Sequence, residues 1–424
     1  MPIDDIDKLP QGMQLTAIDE AFRQDPYPIL ENLREQAPVL EDRTLGRFVY
    51  TRHDDVKALL HDKEFFTDPR KANPGTFSRE VLGATINAGE NPSMLLMDEP
   101  EHRRLRSLVS APFKPSAVER WRSHIRDIVE AKLDAVEGDE FDLIAQLAGP
   151  VPTVVIAEML GVESDRHEEF KVWSDLMVQI SFNPFPTDEQ REQGEEARAA
   201  LTNYLLGLIA AGADDPGEDL LGDMLRAEVA GEKLTPDEIV AQCQLLLVAG
   251  NVTTTDLIGN GVKALLDHPL QLQLLRQRPE LIGNAVEEML RYDSPVTNSG
   301  RIPNRDISVG GCPVGKGASL STSLAAANRD PAVYPEPDVF DIEREDTHHQ
   351  SFGGGRHLCL GAHLARIEAQ EAILGLLARY PQLAHGKRGF VYHAIPSFRG
   401  MSEFWVRACP NRQGFTGAVR SREL

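Results

Sequence analysis

The sequence predicts a mainly α-helical fold in one large unit, and three stretches carry that prediction. Thr235-Pro-Asp-Glu238 is a capping box with proline at the first helical position, and no further proline occurs until Pro269. That spacing admits a helix of about 30 residues, roughly 45 Å at 1.5 Å per residue, long enough to cross the whole molecule. Pro279 and Pro295 bracket a second helix, because proline is tolerated near a helix start and disfavours helical backbone at the residue before it. After Cys359, Leu360, Leu364, Ile367, Leu374 and Leu377 recur at 3.6-type spacing with charges between them, which places a helix start at the cysteine itself. A shorter amphipathic helix follows Asp98-Glu-Pro-Glu-His102, with His102 and Arg106 one turn apart.

The 424 residues are 41% hydrophobic, enough for a large core. A prior of roughly 100–200 residues per domain suggests two or three domains, yet no Gly/Ser-rich or Pro-rich linker and no repeat divides the chain. Lys and Arg number 44 against 66 Asp and Glu, a formal charge of −22, which argues against nucleic acid or anionic lipid as a partner while leaving room for a local basic patch. The segment Met1–Pro10 has neither a basic, apolar-cored signal nor the roughly 20 apolar residues of a membrane anchor. The four cysteines, Cys243, Cys312, Cys359 and Cys409, are scattered, as in a reducing compartment. A cytoplasmic protein with no membrane partner is expected.

The most informative stretch is Phe352-Gly-Gly-Gly-Arg-His357-Leu-Cys359-Leu-Gly361. A lone thiol at a loop-to-helix junction is placed where helix N–H groups and the helix dipole favour the thiolate, the form that binds metal. Gly353, Gly354 and Gly355 remove side chains from the approach and leave room for a flat ligand against the main chain. Two other readings exist: a structural buried cysteine, and a zinc site built from His348, His349, His357 and Cys359, whose spacing lacks the paired ligands zinc sites show. In the long helix, Ala249-Gly-Asn-Val-Thr253-Thr-Thr-Asp256 combines glycine, asparagine and β-branched residues, and predicts a local distortion.

The cysteine stretch resembles the haem-binding signature of the cytochrome P450 monooxygenases of the soluble bacterial type, and the resemblance runs from about residue 20 to 408 with its motifs in order. It implies a mainly α fold with small β-sheets, a single domain at 20–408 with a long central helix over the haem, an N-terminal extension at 1–19 and a C-terminal tail at 409–424. The implied cofactor is haem b, with Cys359 as the iron ligand, Phe352 in the haem-binding loop, and His102, Arg106, Arg301 and His357 as donors to the two propionates. Glu288, Arg291 and Arg344 match the family's buried Glu/Arg set and are assigned to folding and haem retention.

On the distal side, Ala249–Thr254 matches a pattern that usually reads Ala/Gly-Gly-x-Asp/Glu-Thr-Thr. The resemblance implies a local widening of the helix there and makes Thr253 the proton-delivering residue, but Val252 stands where the family has an acid. Asp256, four residues on, is the alternative carboxylate, with Asn251 and water completing a relay. Electrons would come from NAD(P)H through a separate reductase and an acidic ferredoxin or flavodoxin-type carrier, docking on a basic island of Arg103, Arg104, Lys114, Arg356 and Arg366. The substrates would be O₂ and a small, largely hydrophobic molecule, hydroxylated or dealkylated. Substrate-facing positions fall by analogy in Phe77–Met97 and Val178–Pro186, at Leu247, Gly250, Asn251, Val296, Thr297 and Asn298, and at Met401 and Ser402. Asn298 and Ser402 either orient a polar group of the substrate or satisfy a backbone partner. Two rival functions keep the fold: a haem-thiolate enzyme that uses peroxide or catalyses a redox-neutral rearrangement, and a haem sensor or binding protein without turnover.

Overall fold

The computed structural model describes residues 9–84, 93–183, 185–229 and 231–408. The tail expected at 409–424 and the first eight residues of the expected extension lie outside them. From Leu9 on, the chain already packs: Leu9 and Leu15 join Leu30, Leu33 and Leu40 in one buried cluster.

Nine helices are labelled here for what they position: α1 (His53–His61), α2 (Glu101–Val109), α3 (Arg122–Asp134), α4 (Pro150–Met159), α5 (His167–Ser181), α6 (Asp188–Ala211), α7 (Pro236–Asp267), α8 (Ile282–Tyr292) and α9 (Ala362–Arg379). The capping box opens α7: Thr235 Oγ1 accepts from the Glu238 N–H at 3.2 Å, and the Glu238 carboxylate accepts from the Thr235 N–H at 2.9 Å. The 32-residue helix that follows is buried on nearly all sides from Asn251 to Val262 and touches α4, α5, α6, α8 and α9. An apolar helix enclosed in this way is the axis of a core, not a surface element.

The distortion expected in α7 is absent. Helix runs unbroken through Gly250–Asp256, and the Thr253 hydroxyl donates to the Ala249 carbonyl at 2.8 Å. Packing on every side outweighs the weak intrinsic propensity of that stretch.

The second correction concerns α9, which begins at Ala362 with Gly361 as its N-cap, not at the cysteine. The Cys359 N–H is committed to the Phe352 carbonyl at 3.0 Å, closing the loop on itself. Leu358, with φ −51° and ψ 133°, is out of the helical region. The apolar spacing from Leu360 could not separate the last loop residues from the first helical turn.

Four strands, β1 (Val39–Asp42), β2 (Arg47–Tyr50), β4 (Asn298–Arg301) and β5 (Leu320–Ser323), form a sheet in the order β1-β2-β5-β4, with β2 and β5 parallel and the other pairs antiparallel. A second sheet, β6-β7-β3, joins β6 (Ala384–Tyr392), β7 (Met401–Arg407) and β3 (Glu140–Asp142). The first sheet carries Arg301 and the second ends in the 393–400 turn. Arg301 meets the cysteine loop at the Gly354 carbonyl, and the 393–400 turn meets α7 at Asp256 and Asn260. No helix among the described residues is long and apolar enough to cross a membrane.

Candidate active site

The cysteine loop is shaped by its neighbours. Gly353 and Gly355 have φ of 67° and 66°, a region that favours glycine. A Cβ on Gly355 would overlap the Leu60 carbonyl, and one on Gly354 would lie 2.6 Å from the His61 ring, so the run is glycine because it packs on the end of α1. Cys359 is exposed although it sits deep in the protein. Burial pushes its thiol up, against the Gly361 N–H and the charges of Arg106 and Arg366, which pull it down. Cys243, by contrast, is closed off in the core with a thiol pushed up to about 12 by burial, as a structural cysteine should be.

Around the loop stands a cluster of cations. The rings of His102 on α2 and His357 lie 4.2 Å apart. The His357 Nε2 is 3.3 Å from the Thr67 hydroxyl, and Arg106 donates to the Leu358 carbonyl at 2.6 Å. Arg301, 4% exposed, donates to Ser299 Oγ at 3.0 Å and the Gly300 carbonyl at 2.7 Å. The carboxylate nearest these rings is Glu99, 3.9 Å from His102. Burial first, and the other cations second, drive His357 down to about 3 and Arg301 down to about 10. His102 is lowered by burial and by Arg106, and Arg106 is lowered by burial. Cations crowded at each other's expense fit a ligand that brings its own anionic groups.

Haem fits these residues. It carries two carboxylates for the basic cluster and an iron for the exposed thiol of Cys359. On α7, Gly250 leaves a bare patch of helix, where an added Cβ would meet nothing within 4 Å. Phe352, expected in the haem-binding set, receives the Cys359 N–H on its carbonyl, and the Arg366 guanidinium lies 4.5 Å over its ring. The zinc alternative loses its ligands: His349 faces Glu287 at 3.4 Å, and His357 is engaged as described.

The three residues expected to form a proton relay point in different directions. Successive residues turn 100° about a helix, so Asn251 and Thr253 are about 200° apart. Asn251 reaches α5, donating to Ser174 Oγ at 2.8 Å and Asp175 Oδ1 at 3.2 Å, and accepts from Thr255 Oγ1 at 3.3 Å. Asp256, 1% exposed, holds His393 Nε2 at 3.1 Å from both of its oxygens. Thr253 bonds to its own helix. The relay through Asn251, Thr253 and Asp256 is therefore not assembled, because the carboxylate is spent on an imidazole and the amide on a neighbouring helix.

Two groups at the site escaped sequence reasoning. Glu368 on α9 is 2% exposed, accepts a hydrogen bond from Thr254, and is pushed up to about 8 by burial. His393 lies 137 residues from Asp256. The sequence signal for Glu368 was its place on the apolar face of α9, one turn and a residue beyond Leu364 where that face continues.

The Glu288–Arg291–Arg344 set is buried and satisfied. Arg291, wholly inaccessible, bonds Glu288 at 2.7 and 2.8 Å and donates to the carbonyls of Asn328, Pro337 and Val339. Arg344 adds a contact to Glu288 at 3.2 Å. The basic island is less free than its composition implied: Arg103 pairs with Glu99, Arg104 with Glu232 and Glu238, and Arg366 with Glu287 at 2.6 and 2.8 Å. Lys114 is exposed and Arg356 half-buried, and among the described residues neither has a carboxylate in ion-pair range.

Of the expected substrate-facing positions, residues 85–92 and 184 lie outside the described residues. The rings of Phe182 and Phe398 lie 4.8 Å apart, tilted by 56°, and Val296 bridges to Phe398. Asn298 donates to Thr297 Oγ1 at 3.2 Å and Ser402 to the Val391 carbonyl at 3.2 Å, so both polar side chains have protein partners.

An exposed thiol on a glycine loop, beside buried basic side chains suited to two carboxylates, defines a haem-thiolate protein. The family model for Cytochrome P450 matches residues 44–387, and the chain belongs to the cytochrome P450 family. It is 40% identical over 383 residues to Cytochrome P450 107B1 of Saccharopolyspora erythraea, covering 87% of this chain and 91% of the relative. It is 36% identical over 408 residues to Cytochrome P450 monooxygenase PikC of Streptomyces venezuelae, covering 94% of each. The crystal structure of CYP164A2 from Mycobacterium smegmatis superposes with a TM-score of 0.84 at 35% identity, over 94% of this chain and 100% of that one. The protein is a haem-thiolate monooxygenase of the bacterial type, an oxidoreductase with haem b as cofactor and NAD(P)H electrons delivered by partner proteins.

Proposed function

We propose that this monooxygenase oxidises a small, largely hydrophobic molecule, with Cys359 as the iron ligand, His102, Arg301 and His357 holding the haem propionates, and Arg106 bracing the cysteine loop. The observation that carries the site assignment is the basic cluster beside Cys359, in which burial first and neighbouring cations second, Arg356 among them, hold His357 and Arg301 well below their usual values. When bound, haem supplies the O₂-activating iron. The chain's own residues do the rest. Arg301 neutralises and orients a propionate, the glycine loop seats the thiolate, and the aromatic pair Phe182 and Phe398 with Val296 supplies an apolar wall that orients substrate and excludes water.

Protons take a route set by this chain's substitutions. Val252 carries none, and Asp256 is held by His393. Thr253 presents its hydroxyl on the same stretch of α7 where Thr254 binds the protonated Glu368 carboxyl, a neutral acid at physiological pH. Thr253 is the delivering hydroxyl and Glu368 the reservoir.

The electron carrier is an acidic ferredoxin or flavodoxin-type protein, and the setting is the cytoplasm. Lys114 and Arg356 are the cations of the expected docking face that have no carboxylate in ion-pair range among the described residues, and they support an acidic partner. The test is turnover with a surrogate ferredoxin, its reductase and NAD(P)H over a panel of apolar compounds. Oxygenated product dependent on the carrier sustains the proposal. Product with peroxide alone would move it to the peroxide-using class, and spectral binding without product would make it a haem sensor.

A further inference from the structure

We infer that the Asp256–His393 pair is a positioning device for the substrate wall, setting where Phe398 stands and thereby the size of molecule the site admits. The inference rests on the haem-thiolate reading above. Asp256 is fully enclosed on α7, with both carboxylate oxygens 3.1 Å from His393 Nε2. His393 donates its N–H to the Gly400 carbonyl at 3.1 Å. A Cβ on Gly400 would overlap the Asp256 carboxylate, so that side chain also packs directly on the turn's far end. One helical turn further along α7, Asn260 donates to the Arg399 carbonyl at 2.8 Å and the Asp293 carbonyl at 3.3 Å. Two side chains one turn apart on the central helix thus hold both ends of the segment from His393 to Gly400.

Between those ends lies Phe398, the residue on which the proposed wall is built. The Phe398 N–H closes a tight turn on the Ile395 carbonyl at 3.1 Å, the Thr297 N–H bonds the Ser397 carbonyl at 3.0 Å, and the Arg399 N–H bonds the Pro295 carbonyl at 2.9 Å. Phe398 bridges to Val296 and sets its ring 4.8 Å from Phe182, which caps α5. A displacement of His393 against α7 therefore moves the Phe398 ring relative to two other elements at once. Burial works against charge on both groups. It raises the Asp256 carboxyl, with His393 opposing. At His393 the Asp256 carboxylate outweighs burial and raises the imidazole, so that each favours the other's charge and the contact at 3.1 Å holds them together. A buried ionic pair adds little net stability over an apolar pair of the same volume, while fixing one geometry between two elements. That balance suits a device for position.

The test uses the haem-loaded protein and two nitrogen ligands of the iron that differ in bulk: imidazole, which needs only the iron, and clotrimazole, whose triaryl group must pass the wall. Both are titrated by the shift of the haem Soret band in the wild type and in Asp256→Ala, His393→Ala and Asp256→Asn. His393→Ala and Asp256→Ala are expected to change the clotrimazole Kd by about tenfold while leaving that of imidazole within about twofold. Asp256→Asn keeps the shape and an acceptor for Nε2–H and is expected to behave as the wild type. Should an alanine variant not fold, His393→Gln takes its place. An unchanged ratio of the two affinities, or parallel loss of both ligands, overturns the inference, since the second outcome is general damage rather than a moved wall. If the reduced carbon monoxide complex of the wild type lacks the red-shifted Soret band of a thiolate, the haem-thiolate reading falls and takes this inference with it. If the band is present and the ratio does not move, this inference alone falls.

Discussion

The imidazoles of His102 and His357 stand 4.2 Å apart, tilted by 39°, with Arg106, Arg301 and Arg356 acting on one or both of them. Two rings that both lose basicity, first through burial and then through neighbouring cations, are a cost to the protein on its own. The arrangement makes sense as half of a site whose other half is a pair of carboxylates. Arg301 is the most enclosed of the guanidinium groups there and has no carboxylate in ion-pair range among the described residues.

Arg301→Ala is therefore expected to weaken haem retention by about 1–3 kcal/mol, the loss of a charge-assisted bond at a buried site. The rate of haem transfer to apomyoglobin measures it. His102→Ala should act in the same direction and by less, because burial and Arg106 hold down the basicity of its ring, whereas Arg301 brings a guanidinium. A change confined to substrate affinity would contradict the role of both residues.

Cys359→His is expected to abolish the red-shifted Soret band of the reduced carbon monoxide complex. Cys243→Ala, which removes a closed-off core thiol, should leave the band in place. A thiolate spectrum persisting in Cys359→His would sink the assignment.

Glu368 gives a pH dependence with a definite sign. Its carboxyl is raised by burial from 4.5 to about 8, with the Thr254 hydroxyl opposing. A carboxyl whose folded value lies above its unfolded one contributes stability that is fully present below the unfolded value. That contribution declines as pH rises and is gone above about 8. The slope from this group approaches about 1.4 kcal/mol per pH unit inside that window. Glu368→Gln keeps the shape and cannot ionise. Its Tm relative to the wild type should therefore climb between pH 5 and pH 8, and a constant difference would show that Glu368 is not a buried acid.

Local signals carried much of the fold, and long-range ones were hidden. The ends of α7 were readable because a capping box and a proline-free run act within a few residues of each other, and the Glu288–Arg291 pair because three residues place two side chains on one helix face. The start of α9 was not readable, because what stops the helix is the Cys359 N–H turning to Phe352, a loop contact that apolar spacing does not encode. The glycine run was seen as room for a ligand when its neighbours are Leu60 and His61, some 300 residues earlier. Arg104 looked free in the sequence because Glu238 is 134 residues away, and Arg366 because Glu287 is 79 residues away.

Those pairings change what is expected at the docking face. Charge reversal at Arg104 or Arg366 breaks an internal ion pair before it touches a partner, whereas Lys114 meets solvent. Lys114→Glu should slow reduction of the iron by an acidic ferredoxin, and the difference from wild type should shrink with added salt. Stopped-flow reduction at two ionic strengths decides it. Equal slowing at both would mean that Lys114 does not face the carrier.

The proton route separates the two carboxylates of α7 and α9. Thr253 donates its hydroxyl to the Ala249 carbonyl at 2.8 Å, so delivery requires it to turn from that bond. Thr253→Ala removes the hydroxyl and should raise the peroxide released per NAD(P)H consumed. Glu368→Gln keeps a hydrogen-bonding group beside Thr254 but has no proton to give, and should lower turnover, most at pH values below about 8 where the wild-type acid is protonated. Asp256 is held by His393 on both of its oxygens, and Asp256→Asn should leave the ratio of product to NAD(P)H as it was. Measuring peroxide, product and NAD(P)H together in the three variants tests the route. Uncoupling in Asp256→Asn with full coupling in Glu368→Gln would return the relay to Asp256, and would require His393 to release the carboxylate during turnover.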